Sequence, residues 1–286
     1  MSGQEALQAW VGRRELVRDV VTPTPYAALA ATLDRQSARP AAGTPLPALW
    51  HWLYFLPLHP QASIGADGHP ERGGFLPPVP LPRRMWAGSQ LAFHRQLHVG
   101  EAITRTSTIE SVTGKSGRAG PLVFVRVRHE IGSDAGDDVA ITEFHDIVYR
   151  DAPTPADPSA SSRPAPAGST WQRDWVPDDV LLFRYSALTF NGHRIHYDRR
   201  YVTEVEGYPG LIVHGPLIAT LLLDLLRDHL PAARVARFEF RALRPLFDIH
   251  PFRVCGEPQP DGKTFRLWAK NHEGELAMDA TAVIDD

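Results

Sequence analysis

Val123, Val125 and Val127 alternate with Phe124, Arg126 and Arg128, and a second strand-like run extends from Val139 to Tyr149. A period of two sends successive side chains to opposite faces of an extended chain, so both runs predict strands with one face on a core. Farther on, Phe265, Leu267 and Ala269 alternate with Arg266, Trp268 and Lys270, and Leu276 to Ile284 completes a second pair. Between the pairs the pattern stops. From Asp151 to Thr170, Pro153, Pro155, Pro158, Pro164 and Pro166 are spaced by Ala, Ser and Asp. Proline supplies no N–H to a sheet and its small polar neighbours bury little, so the segment reads as a linker. The chain thereby divides into an N-terminal half, 1–150, and a C-terminal half, 171–286, which end alike.

The strongest helix opens at Pro216, a favoured first-turn residue, and runs through Leu217-Ile218-Ala219-Thr220-Leu221-Leu222-Leu223-Asp224-Leu225-Leu226 before Pro231 stops it. It is apolar nearly all round, so other structure must wrap it. The following Phe238, Phe240, Leu243 and Leu246 begin strands able to do so. An α+β fold is expected, with a curved antiparallel sheet around a central helix. Leu97-His98-Val99-Gly100-Glu101 and Leu246-Phe247-Asp248-Ile249-His250 each precede a strand series, which predicts the same plan in both halves through duplication.

Composition narrows the function. Hydrophobic residues at 43% and charged residues at 22% describe a folded globular chain, not a disordered one. With 30 Lys plus Arg against 33 Asp plus Glu, the net charge of −3 offers no general attraction to nucleic acid or anionic lipid. Met1 to Thr22 lacks the apolar run of a signal peptide, and Glu5 and Glu15 speak against a transit peptide, so a cytoplasmic location is expected. The apolar stretch around Leu211 to Leu223 contains His214 and is shorter than the roughly 20 residues a bilayer needs, so no membrane partner is expected. The single cysteine, Cys255, sits in a strand-like apolar context and is expected to be a buried structural thiol. No Gly-x-Ser-x-Gly, Walker or dinucleotide fingerprint is present.

The segment Phe183 to Asp198 is dense in polar groups and lies just before the buried helix. Within it Asn191 stands five positions before His196, and His214-Gly215 opens the helix that follows. This order and spacing resembles the MaoC-like hydratases and dehydratases, whose motif places an acidic or amide residue five positions before a His and then a helix opening with His-Gly. In the N-terminal half, Gly65-Ala66-Asp67-Gly68-His69-Pro70, Gly73-Gly74-Phe75-Leu76-Pro77-Pro78 and Leu81-Pro82-Arg83-Arg84-Met85-Trp86-Ala87-Gly88 resemble one branch of that family. The branch holds the mitochondrial-type 3-hydroxyacyl-thioester dehydratases and the mesaconyl-CoA and itaconyl-CoA hydratases. The resemblance covers the chain from about Trp50 onward and implies a double hot dog. In that arrangement the N-terminal half has lost the catalytic pair and shapes the acyl pocket. The substrate is an acyl-CoA or acyl-carrier-protein thioester, no separate cofactor is needed, and a homodimer is compatible with the reading.

Hydrating an enoyl thioester needs a base for water and donors for the enolate oxygen. His196 can be the base, since imidazole titrates near neutrality, and it can return the proton to the α-carbon. The Gly215 N–H, at the helix start, can hold the thioester oxygen with help from the helix dipole. Asn191 cannot take up a proton, so it is expected to position water, leaving His196 as a single base. A competing role for Asn191 is to hold a left-handed turn before Gly192, and one for His196 is a structural imidazole near Tyr197 and Asp198. His193 is expected to face away and support the turn, and His214 to pack at the helix start. Arg83, Arg84 and Arg184, with Trp86 and Tyr185 beside them, are candidate substrate contacts, for CoA phosphates or for a free carboxylate on the acyl group. A hot-dog thioesterase and a non-catalytic acyl-binding module stand as rivals. No metal ligand set is expected, because His193, His196 and Asp198 crowd one turn without a His-Glu-x-x-His or Cys pair.

Overall fold

A computed structural model describes residues 3–35, 39–117, 120–136, 138–151 and 163–285. The N-terminal half opens with α1 (Gly3–Gln8), β1 (Arg14–Val20) and α2 (Pro23–Thr32), and then β2 (Arg83–Phe93), β3 (Ala102–Gly117), β4 (Gly120–Ser133) and β5 (Val139–Arg150). The C-terminal half runs β6 (Trp171–Trp175), α3 (Asp179–Leu188), α4 (Gly215–His229), β7 (Val235–Ala242), β8 (Phe252–Pro258), β9 (Thr264–Lys270) and β10 (Leu276–Ile284), and each half closes on four successive strands. The four alternating runs fall in β4, β5, β9 and β10, and the all-apolar run is α4.

The strands form one ten-stranded sheet in the order β1-β3-β4-β5-β2-β7-β10-β9-β8-β6, with every neighbour antiparallel. The two expected sheets are thus joined edge to edge through β2 and β7, Gly88 facing Arg241 and Ala92 facing Arg237. Gly88 is required at this seam, because a Cβ there would stand 2.3 Å from the Phe240 carbonyl oxygen. Pairing the two middle strands removes two exposed edges at which other chains could add.

Leu217 to Leu226 are all buried in α4, which packs on β6, β8, β9 and β10. That is the expected wrapped helix. In the N-terminal half a backbone bond from Leu46 N–H to Leu97 O matches the one from Val213 N–H to Leu246 O. These bonds tie each half's approach segment to the equivalent pre-strand turn. After Val213 comes the fifteen-residue α4, whereas after Leu46 come only two short 3₁₀ turns, Trp50–Leu53 and Gln61–Ser63. The N-terminal half therefore has no long central helix among its described residues, and the aromatic rings of Trp50, Trp52 and Phe93 pack in its interior.

Most of the expected linker, 152–162, lies outside the described residues. Its end lies along the C-terminal half, with Ala165 N–H on Gly274 O and Thr170 N–H on Gly256 O. Cys255 is fully buried in β8, and burial pushes its thiol pKa up, as a structural thiol requires. Among the described residues no helix is long and apolar enough to cross a membrane.

Candidate active site

Helix α3 ends at Leu188, and two residues on Phe190 adopts the left-handed conformation with φ +49°. The Asn191 N–H then bonds back to Ser186 O at 2.8 Å, a closure that satisfies one of the last helical carbonyls. The left-handed residue is thus Phe190, not Asn191 as the Asn-Gly pair predicts. Asn191 instead braces the turn through its side chain, whose Oδ1 accepts the His193 N–H at 3.0 Å. That bond fixes the amide orientation and leaves the Nδ2 donors unused by other described residues.

A short 3₁₀ turn, Arg194–His196, follows and delivers His196 into the interior at 8% exposure. Its Nδ1 lies 2.7 Å from the Ile212 carbonyl oxygen. A carbonyl can only accept, so Nδ1 carries the proton and Nε2 is left with its lone pair. The His214 ring stacks on that of His196 with centroids 3.8 Å apart, and His214 Nε2 is 2.8 Å from Ser186 Oγ. His214 is 1% exposed, so it packs at the helix start as expected and braces the plane of His196. Tyr185 is buried on α3 with its ring against His214, which makes it a support for this stack.

Burial pushes the His196 imidazole down to about 4, with the Ile212 hydrogen bond acting in the opposite sense. The His196 imidazole is therefore neutral across the physiological range. An imidazole with a depressed pKa loses its free lone pair only as pH falls through the depressed value, so a base role for His196 would survive down to that value. Hydration rates, measured as kcat/KM against pH, should stay flat from about pH 8 to about pH 5, with no bend near the ordinary imidazole value of about 6.5. An acid limb centred near that ordinary value would show that His196 titrates as a solvated group.

Gly215 is the first residue of α4, and its cap residue His214 makes no side-chain cap bond. Pro216 carries no N–H, so the Gly215 and Leu217 amides are the donors left at this end. Nothing lies within 4 Å of the place a Cβ would take on Gly215, which leaves room for a substrate atom beside its N–H.

The N-terminal half reaches the same place. Asp67 O accepts the Arg194 N–H at 2.9 Å, and Ala66 O accepts from Arg194 Nη1 at 2.9 Å. Gly68, at φ +88°, sits so close that a Cβ would lie 1.8 Å from Gly192 O. The loop turn presents His69, whose Nδ1 is 3.1 Å from Asp67 Oδ2 and whose ring lies 3.9 Å from that of His193. The His193 ring is in turn 5.5 Å from His196. His193 therefore faces the site, contrary to its expected outward orientation: its N–H serves the turn, while its ring is held between the two loops. Donor atoms of Asp67, His69 and His193 all lie within 4.8 Å of one another, close enough for a cation. The charge nearby opposes one, since Arg84 lies near enough to both imidazoles to disfavour their protonated forms, and Arg72 does the same to His69.

The proposed substrate contacts separate in space. Arg83 is already engaged, with Nη2 2.9 Å from Glu206 Oε2 and Nη1 2.8 Å from Tyr208 Oη. Arg184 is exposed on α3. Arg84 is half-buried, stands opposite Tyr149 in the β2–β5 pairing, and unlike Arg83 pairs with no carboxylate among the described residues. Trp86 forms part of an aromatic wall with Trp52, Phe240 and His145, its Nε1 bonded to Ser89 Oγ at 3.0 Å.

A family model for hydroxyacyl-thioester dehydratase type 2 matches residues 49–248, and it spans both the Asp67-His69 loop and the Asn191-His196 segment. The chain belongs to that family. A mesaconyl-C(4)-CoA hydratase of Chloroflexus aurantiacus is 49% identical over 275 residues, covering 96% of this chain and 96% of the relative. The mitochondrial hydroxyacyl-thioester dehydratase type 2 of Schizosaccharomyces pombe is 29% identical over 293 residues, covering 91% of this chain and 94% of its own. Among solved structures, a MaoC-like dehydratase superposes with a TM-score of 0.68 at 15% identity, covering 98% of this chain and 99% of its own. A MaoC-like dehydratase from Phytophthora capsici gives 0.67 at 11% identity, covering 99% and 97%. These two confirm the MaoC-like hot-dog fold of this dehydratase-family member.

Proposed function

We propose that this chain is a hydro-lyase that reversibly adds water to the double bond of a short enoyl-CoA, with mesaconyl-C(4)-CoA-type substrates favoured over plain or longer chains. The observation that carries the chemistry is the fixed tautomer of His196, whose Nδ1–H is spent on Ile212 O so that Nε2 is a base. In the hydration direction Nε2 takes a proton from water while the water oxygen bonds to the β-carbon. The double-bond electrons move toward the thioester, and the oxygen gains charge beside the Gly215 N–H. The same imidazolium then returns its proton to the α-carbon, so no second acid is required. The Asn191 amide donors hold the water oxygen. The growing enolate charge favours the imidazolium at the moment of transfer, which offsets the low basicity that burial imposes.

The 49% identical relative supports the mesaconyl preference. So does Arg84, which pairs with no carboxylate among the described residues and whose fork suits a free carboxylate on the acyl group. The test is a panel of mesaconyl-C(4)-CoA, itaconyl-CoA, crotonyl-CoA and a medium-chain enoyl-CoA, following loss of the enoyl absorbance together with free thiol. Mesaconyl-C(4)-CoA should give the highest kcat/KM with no thiol released. Stoichiometric thiol release would establish thioester hydrolysis instead, and a preference for crotonyl or longer chains would leave a general 3-hydroxyacyl-thioester dehydratase.

A further inference from the structure

The N-terminal half contributes more to this site than an apolar wall. We propose that His69, held by Asp67, joins Arg84 and His193 to form a carboxylate subsite that recognises the free acid of the acyl group. This rests on the substrate reading above, and it assigns the discriminating residues to the N-terminal loop and β2, with His193 the member from the catalytic loop.

The geometry supports it in three ways. First, the Asp67-Gly68-His69 turn is docked on the catalytic loop by the Arg194 N–H to Asp67 O bond and by the Gly68–Gly192 contact, so its side chains are placed relative to His196 by backbone packing. Second, the imidazoles form a file, His69 to His193 at 3.9 Å and His193 to His196 at 5.5 Å, that places the cluster one ring beyond the base. In mesaconyl-C(4)-CoA the free carboxylate is attached to the β-carbon, the atom that water attacks, so it must lie close to the base and not deep along the acyl chain. Third, the positive charges of Arg84 and Arg72 both act on His69, and that of Arg84 on His193, against the single carboxylate of Asp67.

Asp67 occupies His69 Nδ1, so His69 Nε2 is the atom available to a ligand. Burial holds His69 below its ordinary pKa, with Asp67 acting to raise it and Arg84 and Arg72 to lower it. A carboxylate arriving beside this ring adds a second negative charge and favours the imidazolium, whose Nε2–H then donates to the ligand.

Equilibrium binding of two saturated thioesters with one carbon skeleton tests this apart from catalysis. 3-Carboxybutyryl-CoA carries the carboxylate, and isovaleryl-CoA carries a methyl group in its place. The wild-type protein should bind the carboxylate form at least about tenfold tighter, as a charge-assisted pair predicts. His69→Gln and Asp67→Asn should each reduce that ratio by about fivefold or more, leaving the Kd for isovaleryl-CoA within about threefold. Thermal melts of both variants confirm that the loop change leaves the fold intact, and the conservative Asp67→Asn keeps the turn while removing the charge. A wild-type ratio near one, or a ratio unchanged in both variants, overturns the subsite. The hydratase reading fails separately: a protein that prefers 3-carboxybutyryl-CoA but hydrates no enoyl-CoA keeps the subsite and loses the reaction.

Discussion

Replacing His196 by Gln lowers kcat for hydration of the best enoyl-CoA by about 100-fold or more, the usual cost of removing a general base. No other group in the segment can take over, because Asn191 does not titrate and His193 is held by burial, down to about 2, too weak to serve as base. The loss should fall mainly on kcat, since His196 moves a proton and does not bind the CoA. A melting temperature close to wild type separates this from unfolding. Turnover within about fivefold of wild type would remove His196 as the base.

The second large effect is on stability. Asp224 sits on α4 at 2% exposure and is shared by three guanidinium groups: Arg35 Nε at 2.6 Å, Arg173 Nη1 at 3.5 Å and Arg227. Arg227 is itself desolvated, lying over the Trp50 ring at 5.0 Å, and burial disfavours its charged form. Asp224→Ala leaves that half-buried cation without its counter-ion, a change that costs up to about 3 kcal/mol, the lower end of the range for a fully buried pair. Asp228, exposed on the next turn, touches Arg35 and Arg173, and Asp228→Ala should cost less than about 1 kcal/mol because water replaces the partner. Urea unfolding of the two variants side by side measures the difference. Equal, small losses would mean that water reaches Arg227 and that the α4 cluster is not dry.

How legible each feature was follows from its range. The strands β4, β5, β9 and β10 and the helix α4 were readable because their apolar periods are local and unbroken. The short β1, β6 and α3 were not, since their burial depends on what lies over them: Leu16 in β1 and Phe183 in α3 are exposed despite being apolar. Helix α2 carries no apolar stripe of its own, and two prolines at its start obscure it. The Asn191, His196 and His214-Gly215 spacing was legible as a motif because one continuous segment holds all four residues.

The proposed pairing of a base with a helix end is thus written in sequence as a turn-forming Asn, an imidazole five residues on, and an uncapped all-apolar helix. What tertiary structure alone decided is which groups meet it. Asp67 and His69 lie more than a hundred residues before His193, and only the antiparallel closure of β2 on β7 and the docking of Gly68 on Gly192 bring them together. The same is true of the three candidate arginines, which are equivalent as residue types. Arg83 meets Glu206 and is neutralised, Arg184 points to solvent, and Arg84 alone is half-buried without a carboxylate partner among the described residues. Periodicity fixes which way a side chain leaves its own strand, but its partners come from distant segments whose placement no local pattern encodes.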